Sequence, residues 1–252
     1  MLRVVEREAR VYRRLWRGSV AASFLIPVLF LGALGIGVGG LVDQQAGLGT
    51  DLSYLDFVAP GLLAAMGMQL AAVSSLWPVM AGLKWVRFFH GVVATPVSAA
   101  DVYGGYVVWS AIRSAMAASA FLLVAVVLGG VSSPWGVLAL PAAVLTTVAF
   151  SAPLAAYAAT QETDLSFNLV VRLLIMPLFL FSGTFFPVDQ LPGWLEPVAT
   201  VSPLWHGVEL CRAATTGRVK WDAAIVHVAV LGTVIAISWQ WGARTFTRRL
   251  AA

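Results

Sequence analysis

Residues 177 to 212 read PLFLFSGTFFPVDQLPGWLEPVATVSPLWHGVELCR, and this stretch decides how the whole chain is interpreted. After residue 186 it contains four prolines, which fix φ and remove backbone donors, so no long helix can cross it: Pro187, Pro192, Pro197 and Pro203. The residues between them remain apolar and include Trp194 and Trp205. Short helices that lie in a membrane interface, or dip into it, have this composition. The sequence therefore predicts that residues 187–220 form a re-entrant segment on the outer face before the last span.

The composition is that of an integral membrane protein. Of the 252 residues, 60% are hydrophobic and only 11% are charged, and the mean hydropathy is +0.86. So few polar residues cannot cover the surface of a soluble globule of this size. Apolar segments of membrane-spanning length are predicted at six places: 20–42, 57–83, 104–128, 135–159, 168–186 and 222–243. They leave no stretch for a soluble domain, so we expect an all-α integral membrane protein with six transmembrane helices and a single transmembrane domain over residues 1–252.

The amino terminus, residues 1–18, has the pattern of a basic amphipathic helix. Five arginines recur along one helical stripe: Arg3, Arg7, Arg10, Arg14 and Arg17. Residues 1–17 contain six arginines and two glutamates, a net charge of +4 that equals the formal charge of the whole chain. Such a helix is expected to lie on the anionic cytoplasmic leaflet. A cleaved signal peptide is the weaker alternative, because the following apolar run is long enough to span and lacks a small-residue cleavage site.

The distribution of lysine and arginine predicts the topology. Basic residues flank the chain before the first span, between the second and third spans, and after the last span, whereas the loop at residues 43–56 contains three aspartates and no base. By the positive-inside rule both termini and residues 84–101 are cytoplasmic. Residues 43–56 and 187–220 are then outside. The protein is expected to be a multi-pass protein of the cytoplasmic membrane.

The connection between the second and third spans is a candidate contact surface for a partner protein. Residues 84–98 read KWVRFFHGVVATPVS, in which basic and aromatic side chains alternate: Lys84, Trp85, Arg87, Phe88, Phe89 and His90. A segment of this kind is either anchored in the membrane interface or bound to a partner. Gly91 and Pro96 are expected to end its short helix, because a proline disfavours helix at the residue before it.

Four residues are candidates for a substrate path or gate. Arg113 lies about nine residues into the third predicted span, which places it about 13 Å from the start of the span. A charge at that depth normally faces the bundle interior, a partner or a cavity, although a structural pair or snorkelling to the interface is an alternative. Gln69 in the second span can line the same path or bond between helices. Phe185 and Phe186 complete the set at the break before the outer segment.

The sequence lacks the motifs that mark metal sites, catalytic sites and ATP-binding loops. His206 and Glu209 share one helical face, but two ligands are too few for a metal site, and His90 and His227 are expected elsewhere. The sequence has no nucleophile elbow, no His-Glu-x-x-His motif and no Gly-x-x-x-x-Gly-Lys-[Ser/Thr] loop. We therefore expect no enzyme activity, no cofactor, no metal and no nucleic-acid partner for this chain. If transport depends on ATP, the ATP must bind another polypeptide.

The spacing SG-x-x-FP-x-x-x-LP-x-WL, followed by PL-x-x-x-V-x-x-x-R, resembles the closing segment of ABC-2 type exporter permeases. Within these permeases it is similar to the branch of nodulation-factor (NodJ-like) and daunorubicin-type drug exporters. The matching positions are Ser182, Gly183, Phe186, Pro187, Leu191, Pro192, Trp194, Leu195, Pro203, Leu204, Val208 and Arg212.

The resemblance implies one permease half of an exporter in the inner membrane of a bacterium. Two permease copies, or a copy and a paralogue, would assemble in the bilayer with two ATPase subunits that bind ATP and Mg²⁺. An amphipathic drug, lipid or lipo-oligosaccharide would move outward, and residues 84–101 would be the coupling loop. Relatives often have an acidic residue near positions 84 to 90, where this chain is basic, so charge pairing with the ATPase is expected to differ. A membrane scaffold without transport, or an ion-coupled carrier, remains an alternative.

Overall fold

The computed structural model describes residues 1–45 and 52–251. Within these ranges helices are the regular secondary structure and no strand is present, which confirms the all-α prediction. The predicted outer loop at 43–56, including Asp51, falls partly on residues 46–51, which lie outside the described residues.

Five helices in the described part of the chain are long and apolar enough to cross a membrane: Trp16–Val42, Tyr54–Trp85, Ala99–Val127, Pro134–Thr160 and Trp221–Ala251. A shorter apolar helix, Leu165–Phe181, corresponds to the predicted span at 168–186. It ends earlier than predicted because the chain turns at Gly183, whose φ of 76° is in the left-handed region that favours glycine. The third span begins earlier than predicted because the Ser98 hydroxyl accepts the backbone N–H of Asp101 at 3.1 Å and caps the helix.

We number the α-helices in chain order. They are α1 (Leu2–Phe30), α2 (Gly39–Gln45), α3 (Tyr54–Ser75), α4 (Trp77–Met80), α5 (Phe88–Val93), α6 (Ala99–Val127), α7 (Ala139–Thr160), α8 (Leu165–Val170), α9 (Met176–Phe181), α10 (Glu196–Val201), α11 (Pro203–Thr216) and α12 (Trp221–Ala251). Wider π-helical turns follow α1, α4 and α8, at Leu31–Val38, Ala81–Trp85 and Val171–Ile175. Short 3₁₀ turns occupy Pro134–Leu138 and Val188–Gln190.

The core lies where α3 and α7 pack together with α6, α11 and α12. Glycines at these contacts let helices approach closely, as is common between membrane helices. A Cβ on Gly67 of α3 would lie 2.5 Å from the Thr147 hydroxyl oxygen of α7. A Cβ on Gly61 would lie 2.6 Å from the carbonyl oxygen of Thr184, and the outer segment therefore rests directly on α3.

The basic amino-terminal helix is continuous with the first span, because α1 runs without interruption from Leu2 to Phe30. One side of its first turns packs on the start of α6. Val4 is buried there, and a Cβ on Gly105 would lie 2.7 Å from the Val4 Cβ. The terminal ammonium of Met1 lies 3.1 Å from the Asp101 carboxylate. The protein, and not only the lipid surface, therefore holds this helix.

The segment after Gly183 forms short, broken helices, as the prolines predicted. Helix α11 packs on α3 and α7, and its side chains Leu204, Val208 and Cys211 are fully buried. The preceding part is open, since Trp194 is 74% exposed and Val201 is 75% exposed. Apolar surface of this kind fits contact with lipid or protein better than contact with water. The depth of the segment in the outer leaflet stays a prediction.

Candidate functional site

A cleft of about 600 Å³ opens between α1, α3, α6 and α9. It brings together two of the four predicted path residues, Gln69 from α3 and Arg113 from α6. Tyr12 and Ser114 add hydroxyl groups to the polar part of the cleft. The rest of the lining is apolar and includes Ile26, Pro27, Phe30, Leu63, Phe121 and Phe179. The cleft is therefore amphipathic, with one charged side chain.

Arg113 lies deeper than the sequence suggested. Helix α6 begins at Ala99 and ends at Val127, so Arg113 is its middle residue. At a rise of about 1.5 Å per residue it is about 21 Å from either end of the helix. In the described part of the chain Arg113 has no ion pair. A charge in the middle of a span is costly, and in membrane proteins such a residue commonly marks a substrate or ion pathway.

The acid near Arg113 is already engaged elsewhere. The charge of Arg113 acts on Glu8 of α1, but the Glu8 carboxylate is ion-paired with Arg7. Burial raises the pKa of Glu8, and the charges of Arg7 and Arg113 only partly oppose this effect. Arg7 and Glu8 lie outside the lining, so among the described lining residues Arg113 alone carries a charge. A bond of 2.6 Å between the Ser114 and Thr147 hydroxyls fixes α6 to α7 beside it.

The two phenylalanines of the predicted path lie at the outer side of the cleft. Phe185 packs edge-to-face on Phe179, with ring centroids 5.1 Å apart, and Phe179 lines the cleft. The ring of Phe179 therefore lies between Phe185 and the cleft. Phe186 is half-buried in the adjacent turn and does not contribute to the described lining.

Arg212, which the sequence matched only as a motif position, clamps the outer segment. Its guanidinium donates to the Glu209 carboxylate at 2.5 Å and to the Gly183 carbonyl oxygen at 2.6 Å. It also lies over the ring of Phe57 at 3.8 Å. One buried side chain thus joins α11, the turn after α9 and the start of α3. The sequence signal that could have identified this pair is the spacing of a glutamate three residues before an arginine on one helix.

The outer segment also brings together two histidines that the sequence placed apart. Nδ1 of His206 on α11 lies 2.6 Å from Nδ1 of His227 on α12, and both rings contact Trp205. At that distance one nitrogen donates and the other accepts. Burial and the neighbouring imidazole lower the pKa of His206 to about 4. The described residues contain no group of three or more potential metal ligands, so the pair is a hydrogen-bonded contact between helices.

The six predicted coupling residues divide into three sets. Trp85, Arg87 and His90 are exposed at the start of α5. Phe89 is fully buried, with its ring centroid 6.1 Å from that of Tyr106 on α6 and 5.9 Å from that of Phe246 on α12. Its side chain is therefore not available to a partner subunit and acts only as a brace within the chain.

The remaining two coupling residues contact other segments of this chain. The guanidinium of Arg7 lies over the ring of Phe88 at 3.7 Å. The ammonium of Lys84 lies 3.2 Å from the Glu162 carboxylate, which is also ion-paired with Arg249. These bonds hold the pKa of Glu162 well below its usual value, at about 2, with Arg249 contributing more than Lys84. The sequence did not identify Glu162, because the pairing joins three segments that are distant along the chain.

Comparison with known proteins agrees with this arrangement. The model of the family described as ABC-2 type transporter matches residues 2–215. Nodulation protein J of Rhizobium leguminosarum bv. viciae is 28% identical over 241 residues, covering 93% of this chain and 90% of the relative. Nodulation protein J of Sinorhizobium fredii (strain NBRC 101917 / NGR234) is 30% identical over 220 residues, covering 86% and 82%. That of Bradyrhizobium diazoefficiens is 28% identical over 247 residues, covering 98% and 92%. The chain therefore belongs to the ABC-2 type transporter family, as a non-catalytic membrane permease.

Proposed function

We propose that this chain is the permease subunit of an ATP-driven exporter that moves an amphipathic substrate outward. ATP and Mg²⁺ would bind a separate ATPase subunit, of which two would associate with two permease copies, or with a copy and a paralogue. Both termini would be cytoplasmic, in the inner membrane of a bacterium. Family membership and the relatives named Nodulation protein J support this function.

The observation that carries the proposal is the way in which α5 is attached. Phe89 fixes α5 to α6 and α12, and Phe88 contacts α1 through Arg7. Trp85, Arg87 and His90 remain exposed. A subunit that binds these exposed residues can therefore push or pull three membrane helices at once.

A short series of contacts leads from α5 to the cleft. Phe89 contacts the ring of Tyr106, and the Tyr106 hydroxyl donates to the carbonyl oxygen of Ser74 at 2.6 Å. Tyr106 is on α6 and Ser74 is near the inner end of α3, and these two helices form walls of the cleft. Movement of α5 is thereby expected to change the width of the cleft. Coupling energies from double-mutant cycles between Phe89 and Tyr106 would measure this link.

The test is the double substitution Trp85→Ala with Arg87→Ala. Truncation of an anchoring aromatic residue at a protein contact typically costs over about 2 kcal/mol, or about 30-fold in affinity. We expect the ATPase to be lost on copurification and ATP-dependent export to fall, while the permease still inserts. Trp194→Ala is the matched control, because this tryptophan is also exposed, at 74% against 55% for Trp85, but lies in the outer segment. Full ATPase association and full export in the double variant would contradict the coupling role.

A further inference from the structure

We infer that the cleft holds an anionic amphipathic molecule part-way through export, with its anionic group on Arg113 and its apolar body against α1, α6 and α9. The inference rests on the proposed function and adds to it the charge and the orientation of the substrate. The relevant side chains come from four helices and meet in this one cleft.

The size and lining of the cleft fit such a ligand. Small-molecule sites typically enclose about 300–1,000 Å³ and are mostly apolar, with a few polar groups that fix orientation. This cleft encloses about 600 Å³, and Phe30, Leu63, Phe121 and Phe179 supply much of its apolar lining.

The charge of the cleft favours an anion. Arg113 has no ion pair in the described residues, it is the one charged side chain of the described lining, and the carboxylate of the nearby Glu8 is paired with Arg7. Gln69 adds amide hydrogens that can donate to the same group. A phosphate, sulfate or carboxylate would satisfy the guanidinium, whereas a cationic ligand would be repelled.

The surroundings of Arg113 differ from those of an arginine that is held by structural contacts. Arg113 lies one helical turn beyond Trp109, whose ring packs on Tyr12 of α1 with the centroids 5.8 Å apart. A structural arginine is held by buried acceptors, as Arg212 is by Glu209 and Gly183. Arg113 instead faces a cavity, and a bound anion would offset the cost of its charge.

The direction of the helices gives the orientation of the ligand. Helices α1 and α6 both run outward from the cytoplasmic side of the predicted topology, and α3 runs inward. Phe30, Leu63 and Phe121 therefore all lie on the outer side of Arg113 and Gln69. The apolar body would therefore lie further outward than the anionic group.

The test is equilibrium binding to the purified permease of three fluorescent single-chain lipids with the same acyl tail. Their head groups are a phosphate monoester, an uncharged glycerol and a quaternary ammonium. We expect the phosphate lipid to bind at least about 10-fold more tightly than the other two, which corresponds to about 1.4 kcal/mol. Arg113→Gln should abolish that preference while binding of the glycerol lipid stays unchanged, and Arg113→Lys should retain most of it.

Two further variants locate the site. Leu63→Trp is expected to fill the apolar part and weaken binding of all three lipids. Arg172→Gln removes an arginine in the short helix Leu165–Phe181, outside the cleft lining, and should change nothing. A wild-type protein that binds the three lipids equally, or an unchanged preference in Arg113→Gln, would overturn the inference. Binding insensitive to Leu63→Trp would do the same.

Binding is measured without the ATPase, so the result is separate from the proposed function. Loss of the ATPase contact would contradict the function and leave the preference intact. Loss of the preference alone would contradict only the anionic substrate class. If Arg113→Gln does not give a monodisperse protein, Arg113→Lys and Leu63→Trp still decide the outcome.

Discussion

The two ends of the bundle, which are outer and cytoplasmic in the predicted topology, are held by basic side chains of different kinds. On the outer side Arg212 is 11% exposed and bonds to a carboxylate and a backbone carbonyl. On the cytoplasmic side Lys84 is 43% exposed, and its partner Glu162 is 67% exposed. A buried charge that loses its partner is costly, whereas exposed pairs contribute little and are screened by salt. The comparison teaches that the end held by Arg212 is fixed, while the end held by Lys84 can rearrange, as the proposed binding of an ATPase would require.

The largest effect is expected for Arg212→Met, which leaves the Glu209 carboxylate and the Gly183 carbonyl oxygen without their donor. Breaking a buried pair in this way costs about 3 kcal/mol or more. The single cysteine, Cys211, is fully buried beside it and reports opening of the cap. Maleimide labelling of Cys211 should become about 100-fold faster. Arg10→Met, at an exposed arginine of α1, is the control; equal labelling rates in the two variants would show that Arg212 is not a clamp.

A smaller effect is expected for Phe89→Leu, at the contact of α5 with α6 and α12. The substitution keeps an apolar side chain but loses the ring contacts with Tyr106 and Phe246, at a cost of about 1 kcal/mol. Because α5 stays in place but is less firmly braced, ATPase copurification should persist while export per ATP hydrolysed decreases. Measuring hydrolysis and export in the same vesicles separates the two. Export that falls only in proportion to bound ATPase would instead indicate that Phe89 serves docking.

The histidine contact should make the outer side sensitive to pH. His206 has its pKa lowered to about 4 by burial and by His227, against about 6.5 in an unfolded chain. Between these values the unfolded chain binds the proton and the folded chain does not, so stability decreases as pH falls. Glu209 is the nearest acid, and it is engaged by Arg212. The difference in thermal midpoint between wild type and His206→Gln should therefore be smaller at pH 5 than at pH 7.5; a constant difference would mean that the pair does not sense protons.

The smallest effect is expected at the cytoplasmic ion pairs. The pKa of Glu162 is lowered to about 2, so its contribution is complete above the ordinary value and is lost only as pH falls towards 2. Stability should therefore be insensitive to this group between pH 5 and pH 8. Glu162→Gln should lower the thermal midpoint slightly at low salt and not at all at high salt. Asp164→Asn in the same loop is the control. If Glu162→Gln lowered the thermal midpoint more than Arg212→Met does, the comparison would be reversed.

The span positions and the short helices of the outer segment could be predicted because they follow from local composition. Apolar runs bounded by prolines or charged residues indicate a helix of a certain length regardless of its neighbours. The break around Pro187 was visible for the same reason, whereas the turn at Gly183 ended the short helix before the predicted residue 186. The start of α6 was missed because a capping serine extended the helix beyond its apolar run.

Contacts between distant segments could not be read from the sequence. Phe88 and Phe89 are adjacent and look equivalent, yet one lies under Arg7 and the other is buried between α6 and α12. The partners of Lys84 and His206 are likewise distant in sequence. Gln69 and Arg113 were identified because polar groups are rare in spans, and the structure added that they face one cleft.

The most direct test of the account is ATP-dependent uptake of the fluorescent phosphate lipid into inside-out vesicles that contain the permease with its ATPase. We predict that uptake requires ATP and this chain, and that it is lost in the Trp85→Ala, Arg87→Ala double variant but kept in Trp194→Ala. Uptake that continues without ATP, or at the same rate without this chain, would contradict an ATP-driven permease.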